Sequence, residues 1–388
     1  MNEHIDIENG LVRTALVGLG GHGRTIQDAC ASAANLSVVA VYDVADAELS
    51  AAAERFGCDA SSSYEAVLDR GDVEAVVLVT PNHLHREQAE AAFAAGLDVF
   101  VEKPIANTYA DGLAMIDAAQ RSDRILMVGH NMRFSRATQK AREYLLDGRL
   151  GTVVNVEIHF SADNTRRMPA DAWRLRPDQC PLLPVMQLGI HGIDLVHYLL
   201  GPIRNVHAVT RSVTTSPEVI DSVTAVFELD GGSTGTLVSN YCTPVRFEYR
   251  ITGTEGTLRC TPHSCWFRSA KDTDGRGDGP AEYHDYREHD RESYLLQMEA
   301  FGRAVRSRER PEIDGWDGLQ ALAVVEALQR SGDEGRGDGG REDAGRGDVE
   351  DVMDVRTWDG GRGGEQRGGR VEEGREGGRE EQHTPSRR

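Results

Sequence analysis

The sequence predicts two folded units, an N-terminal α/β unit on a doubly wound parallel sheet and a C-terminal α+β unit with a mainly antiparallel open sheet. Three observations carry this. Short β-branched runs alternate with amphipathic stretches over about the first 130 residues. A glycine-rich segment joins the first such run to the first helical stretch. Beyond Gly151 the chain changes to longer runs in which apolar and polar residues alternate.

Taken in order, the runs 14–17, 38–42, 75–79, 99–101 and 125–128 read as strands, and the amphipathic stretches between them as helices. Strands separated by such crossovers cannot pair as hairpins, which leaves a parallel sheet with helices on its faces. This unit is expected over residues 1–133. The runs 153–160, 206–213, 223–229, 234–241 and 248–252 have the alternation of antiparallel strands with one packed face. A helical pattern at 190–200 interrupts them, and residues 134–290 are expected to form a substrate and oligomerisation domain. Two more helical patterns, at 293–305 and 315–329, are expected to pack back on the first unit as a segment spanning 291–330. Residues 331–388 are mostly Gly, Arg, Asp and Glu, with too little apolar surface to offset ordering entropy. They are expected to be a disordered tail, and the Arg-Gly-Asp triplets at Arg336 and Arg346 to be products of that composition.

At 388 residues the chain has room for two cores. A net charge of -20 would repel phosphate backbones and anionic lipid, which excludes nucleic acid and membrane surfaces and leaves small molecules as partners. No run approaches the ~20 apolar residues of a membrane span, and the first ten residues carry acids and no apolar stretch, so a cytoplasmic location is expected. Six scattered cysteines without a CxxC pair are unlike a secreted disulfide framework. Lysine occurs only at Lys103, Lys140 and Lys271 in a chain that otherwise uses arginine, which draws attention to Lys103, since an amine does chemistry that a guanidinium cannot.

Gly18-Leu19-Gly20-Gly21-His22-Gly23 closes the first strand and opens a helix, the context that gives a GxGxxG pattern its meaning. Gly18 permits a tight turn, Gly20 lets the backbone approach a pyrophosphate, and Gly23 lets helix pack on strand; Leu19, Gly21 and His22 complete the loop. This is the fingerprint of a Rossmann fold. Asp43 ends the second strand about 20 residues after Gly23, where an acid accepts hydrogen bonds from the adenosine ribose; a helix N-cap is its other reading. Val44, Ala45 and Asp46 offer no cation for a 2'-phosphate, so NAD is expected over NADP.

With that fingerprint in place, Thr80-Pro81-Asn82-His83-Leu84-His85 and Glu102-Lys103-Pro104 at two further strand ends make the chain resemble the Gfo/Idh/MocA oxidoreductases. The resemblance runs from about residue 14 to 331. It implies a nicotinamide held near Thr80, Asn82, His85 and Glu102, with Lys103 reaching both the cofactor and a substrate hydroxyl. It also implies an acid followed four residues later by a histidine. Here His191 is present, but Gln187 stands in the acid's place and Cys180-Pro181-Leu182-Leu183-Pro184 replaces a glycine-rich lead-in. Trp173 and Arg174 resemble residues that line the pocket entrance and are assigned to the cofactor site, although interdomain packing fits them equally well.

Oxidising an alcohol needs a base for the hydroxyl proton while hydride leaves the same carbon, and an imidazole suits that task. His191 is therefore expected as the base and Lys103 as the group stabilising a developing alkoxide, with Gln187 orienting the hydroxyl through its amide. A core histidine at a helix start is the plainer reading of His191. Arg133 fits either the pocket or a hinge salt bridge, and Asp194 fits a structural partner. Cys260 to Cys265 reads as a hairpin turn and His83 with His85 as a loop, so no metal is expected. The resulting expectation is an NAD-dependent dehydrogenase acting on a secondary alcohol of a sugar, cyclitol or nucleotide-linked sugar, as a homodimer or homotetramer paired through the antiparallel sheet. A regulatory NAD-binding protein and an NAD-using lyase or hydrolase are the competing readings.

Overall fold

The computed structural model describes residues 10–272, 281–334 and 347–349. The first unit runs β1 (Val12–Val17), α1 (His22–Ser32), β2 (Leu36–Tyr42), α2 (Asp46–Phe56), β3 (Asp59–Ala60), α3 (Tyr64–Leu68), β4 (Ala75–Leu78), α4 (His85–Ala94), β5 (Asp98–Glu102), α5 (Tyr109–Arg121), β6 (Leu126–Gly129) and α6 (Arg136–Leu146). Its six strands are all parallel, in the order β3-β2-β1-β4-β5-β6. Strands β4, β5 and β6 are buried along their whole length, which is why they read as continuous apolar runs rather than alternating ones. The order reverses between β1 and β4, and ligands of such sheets bind in the crevice beyond the carboxyl ends of the strands at that point.

The second unit runs β7 (Val153–Asp163), α7 (Ile190–Leu200), β8 (Ile203–Arg211), β9 (Ser222–Leu229), β10 (Thr234–Asn240), β11 (Cys242–Gly253), β12 (Gly256–Thr261), β13 (Ser264–Ser269) and β14 (Glu282–Asp285). These strands form one sheet in the order β14-β13-β12-β11-β7-β10-β9-β8, antiparallel at every step except the parallel pairing of β7 with β10. The mainly antiparallel expectation holds, with that one exception at the centre. The segment from Cys260 to Cys265 is the tight hairpin β12–β13, in which the two cysteines face each other across the strands.

Two helices close the chain back on the first unit. α8 (Glu292–Ser307) lies against α1, with Met298 Sδ 3.5 Å from Cys30 Sγ. α9 (Gly315–Glu334) packs so closely on α5 that a Cβ at Gly112 would stand 2.9 Å from Leu319 Cδ1. The expected disordered tail from residue 331 needs correcting at two places. α9 continues to Glu334, with Ser331 buried and its Oγ accepting from Ala208 N. A short strand β15 (Gly347–Asp348) then pairs antiparallel with β8, and Val349 is buried beside it. The physical reason is the free edge of β8, whose unpaired backbone groups accept a strand even from a polar segment. The Arg-Gly-Asp triplet at Arg336 lies outside the described residues.

Candidate active site

The loop after β1 is shaped by its glycines. Gly18 has φ +87°, and a Cβ there would stand 2.6 Å from Val79 O, so the loop and the end of β4 meet backbone to backbone. Gly23 packs on the carbonyl of Gly18 with the same consequence, while Gly20 and Gly21 face open space or the flexible end of Glu48. α1 begins with Gly21 as its N-cap, no side-chain cap and no acid in its first turn, which leaves its N-terminal amides and positive end uncovered. That is a cradle for a pyrophosphate.

Asp43 lies at the end of β2. Its Oδ2 accepts from Leu19 N at 2.6 Å and its Oδ1 from Ala45 N at 2.8 Å, so the carboxylate ties the glycine loop to the adjacent strand end. It does not cap α2, whose N-cap is Ala45. A groove lined by Gly18, Gly20, Gly21, Asp43, Thr80 and Arg174 runs along this crevice. Asn82 follows the groove residues Thr80 and Pro81, and its Nδ2 is buried with no hydrogen-bond partner among the described residues, a donor suited to a bound cofactor group. The glycine cradle, the uncapped helix start and this amide together fit a dinucleotide.

His85 is placed differently from the expectation that it meets the cofactor. It is fully buried, with Nδ1 3.0 Å from Pro104 O and Nε2 2.9 Å from Thr80 O. Both ring nitrogens face backbone carbonyls, and the one that carries the proton donates, so His85 sits between the Thr80 loop and the Lys103–Pro104 turn and acts on the site through them. Thr80 in turn gives its hydroxyl to Gln88 Oε1.

Beside the groove opens a second cavity of about 360 Å³, whose walls include His22, Lys103, Asn131, Gln187, His191 and Tyr294. His22 borders both spaces. Its Nε2 stands 3.4 Å from Glu102 Oε1, and its ring meets Tyr294 edge-on at 5.5 Å. Lys103 follows Glu102 at the carboxyl end of β5 and reaches across to the second unit, where Nζ donates to Gln187 O at 3.0 Å. The segment Val185–Gly189 is a π-helical turn that runs straight into α7, and it carries both Gln187 and, one residue past its end, Ile190 followed by His191. Such turns recur at functional sites because they offset side chains from the regular helical faces.

Gln187 does less for a substrate than the sequence suggests. Its Oε1 accepts from Arg174 Nε at 3.0 Å and its Nε2 points to Cys180 Sγ at 3.5 Å, so both ends of the amide are already engaged. Arg174 stacks on Trp173, its guanidinium 4.4 Å from the ring centroid, and the pair borders the cofactor groove. Arg133 is in the core: it is bound to Asp194 at 2.6 Å and to Asp317 at 3.2 Å, the salt-bridge reading of that residue. Among the described residues no group of three His, Cys, Asp or Glu side chains gathers as a metal set.

The electrostatics of the cavity follow from its burial. Desolvation pulls the Lys103 amine below its ordinary range, with Glu102 opposing and Arg174 adding to the fall. Desolvation, with the nearby charges of Lys103, His130 and His22, takes His191 well below its ordinary value. Burial alone would raise the Glu102 carboxyl, but His22 and Lys103 hold it below the usual carboxylate range. Near neutrality these shifts make His191 a neutral imidazole and Glu102 an anion.

Comparison with known proteins decides the family. Residues 12–130 match the model described as "Oxidoreductase family, NAD-binding Rossmann fold", and residues 138–259 match "GFO/IDH/MocA C-terminal domain". The D-xylose 1-dehydrogenase (NADP(+)) 2 of Haloferax volcanii is 30% identical over 330 residues, covering 84% of this chain and 97% of that protein. The chain belongs to the Gfo/Idh/MocA oxidoreductases. It is also similar to the myo-inositol 2-dehydrogenase of Thermotoga maritima, 26% identical over 84% of this chain and 97% of that one. The crystal structure of aldose-aldose oxidoreductase from Caulobacter crescentus, complexed with glycerol, superposes with a TM-score of 0.76 at 27% identity, covering 84% and 98% of the two chains.

Several walls of this Gfo/Idh/MocA cavity escaped sequence reading. Asn131, whose Nδ2 donates to Ser293 Oγ at 2.9 Å, follows β6 and had a usable signal, a polar residue just past the carboxyl end of a parallel strand. The rim segment from Tyr286 to Tyr294 and the hairpin tip at Pro262 and His263 had none, because only the tertiary fold brings them to the site.

Proposed function

We propose that this chain is an NAD-dependent dehydrogenase moving hydride between the nicotinamide and a secondary alcohol of a sugar or cyclitol, with Lys103 and His191 at the reacting centre. The observation that carries the reading is the contact of Lys103 Nζ with the carbonyl of Gln187, at the wall of a cavity that also holds His191. One amine from the first unit and one imidazole from the second thus border a single space beside the glycine cradle. When bound, the nicotinamide supplies the hydride acceptor. His191, neutral near pH 7, takes the hydroxyl proton, and the Lys103 amine donates to the oxygen as its charge grows. Gln187 fixes Arg174 and Cys180, and its backbone carbonyl holds the Lys103 amine in place. His85 acts as a brace for the cofactor loops, and Glu102 favours the charged form of Lys103 against its burial.

Relatives named for xylose, myo-inositol and aldose chemistry support a polyol substrate, and a cavity of about 360 Å³ suits a single sugar ring better than an oligosaccharide. The acids at the ribose end support NAD over NADP: Asp43 and Asp46 flank the exposed Val44, and the nearby Arg24 is bound to Glu48 at 2.5 Å. The Haloferax relative is named for NADP(+), so the preference is read from these residues and not from kinship.

The test is turnover with both dinucleotides against a panel of sugars and cyclitols, followed by reduced-nicotinamide absorbance. NAD is expected to exceed NADP by at least about tenfold in kcat/KM, ~1.4 kcal/mol. Lys103→Ala and His191→Ala are each expected to lower kcat by roughly 100-fold or more while NAD affinity stays within a few-fold. Unchanged turnover in both variants would refute the assignment, and NAD binding without turnover on any polyol would favour a sensor instead.

A further inference from the structure

The six cysteines are spread over the chain, and two of them come together. Cys260 on β12 and Cys265 on β13 are directly opposite residues, both 0% exposed, and their Sγ atoms stand 2.8 Å apart. The other four lie elsewhere: Cys30 Sγ meets Met298, Cys180 Sγ receives the Gln187 amide, Cys242 Sγ points to the Asp221 carbonyl, and Cys58 is half-buried just before β3. The hairpin sets the opposition. Pro262 and His263 form its two-residue turn, closed by Thr261 and Ser264, whose hydroxyls are 2.7 Å apart. The pair that closes such a turn exchanges backbone hydrogen bonds, so the next pair, Cys260 and Cys265, is of the other kind, in which opposed Cα atoms are about 4.5 Å apart and side chains are closest. That separation lies inside the range of about 4.4–6.8 Å that a disulfide spans.

The surroundings hold the two thiols in place. In register across the sheet they share one row with Tyr249 on β11 and His284 on β14. α6 covers this row: Tyr249 Oη donates to Thr138 Oγ1 at 3.4 Å, and Tyr144 Oη stands 2.9 Å from His284 Nε2. Beyond the pair, the turn reaches the cavity, whose wall includes Pro262 and His263. Tyr286 N donates to His263 O at 2.7 Å, and His263 Nδ1 stands 3.8 Å from Asp290 Oδ1, so the tip is joined to the rim segment.

We propose that Cys260 and Cys265 are a site of oxidative modification, joining in a cross-strand disulfide that locks the hairpin tip at the cavity rim. Both S–H bonds break and one S–S bond forms. The two electrons and two protons pass to a diffusible disulfide such as oxidised glutathione, which leaves as two thiols. Burial pushes the Cys260 thiol well above its ordinary value, and Cys265 beside it adds to the rise, so thiolate is scarce while the sheet is closed. Exchange therefore waits on opening of the hairpin and proceeds over hours, and the bond, once enclosed, is shielded from reductant. The site stands on these contacts and does not depend on the substrate or on the dehydrogenase reading.

The test keeps the full chain overnight in oxidised or reduced glutathione, with urea held below the unfolding transition to speed local opening. Each sample is then quenched in acid, denatured, alkylated and cut with trypsin, which cleaves after Arg259 and Arg268 and so leaves both cysteines on the peptide 260–268. From the reduced sample that peptide is expected to carry two alkyl groups. From the oxidised sample it is expected to carry none and to be lighter by two hydrogens, with no other pair of cysteines joined. Hydrogen exchange over residues 256–269 is expected to be slower in the oxidised chain by about tenfold or more, a difference absent from Cys265→Ala. Full alkylation of 260–268 after oxidation, glutathione retained on either sulfur, or equal exchange in the two forms overturns the proposal. The comparison of oxidised with reduced wild type decides even where Cys265→Ala does not fold.

Discussion

At Lys103 and His191 the same burial acts on two cations with opposite duties. Desolvation lowers both, so the imidazole stays neutral over most of the working range while the amine must remain protonated to stabilise an alkoxide. Alcohol oxidation should therefore lose activity as pH falls through the His191 value, well below 6.5, and again as pH rises through the Lys103 value, below 10.5. A kcat/KM profile between about pH 4 and 11 checks this, and an acid limb at or above the ordinary histidine value would show that His191 is not the base. The positions of Lys103, His191 and the glycine loop were legible in the sequence because each sits at a strand end or helix start that local pattern reveals. His85 was legible as a position but not as a role: its two backbone carbonyl partners, Thr80 O and Pro104 O, come from separate loops, and no local pattern records that they converge.

Among the elements, the join between the units is held in part by one buried side chain. Arg133, after β6, grips Asp194 on α7 and Asp317 on α9, with its guanidinium 5.2 Å from the centroid of Tyr198. Arg133→Ala would leave Asp194 buried and unpaired, which is expected to cost about 3–5 kcal/mol and to lower Tm with it. Thermal unfolding compared with Asp317→Asn, which removes only the more exposed partner, separates the two contacts; a loss under about 1 kcal/mol for Arg133→Ala would contradict this account. The parallel strands were legible because full burial makes them uninterrupted apolar runs. The start of β11 was not: its first residues, Cys242-Thr243-Pro244-Val245-Arg246, carry a proline and a register shift against β7, which breaks the alternation that marks a strand. The parallel pairing of β7 with β10 was equally invisible, since alternation reports which face is packed and not which way a neighbour runs.

For the molecule as a whole, the wide sheet packs its helices on one side and turns Val209, Val226 and Thr224 outward on the other. We propose that this outer face pairs two copies, and light scattering after size exclusion is expected to give a dimer or tetramer; a monomer at micromolar concentration would reject it. The short strand β15 bears on the same question from the rim. It lies along β8 through Gly347 and Asp348, and Val349 N donates to Arg204 O at 2.9 Å. A chain cut after residue 330 would lay that backbone bare, lose the Ser331 contact with Ala208, and present a ready template for strands from other molecules. Such a truncated protein should show rising turbidity and polydisperse scattering where one ending after residue 349 stays clear. A segment that composition marks as dispensable would then be a guard against aggregation, and trimming the chain for crystallisation or expression would need to spare it.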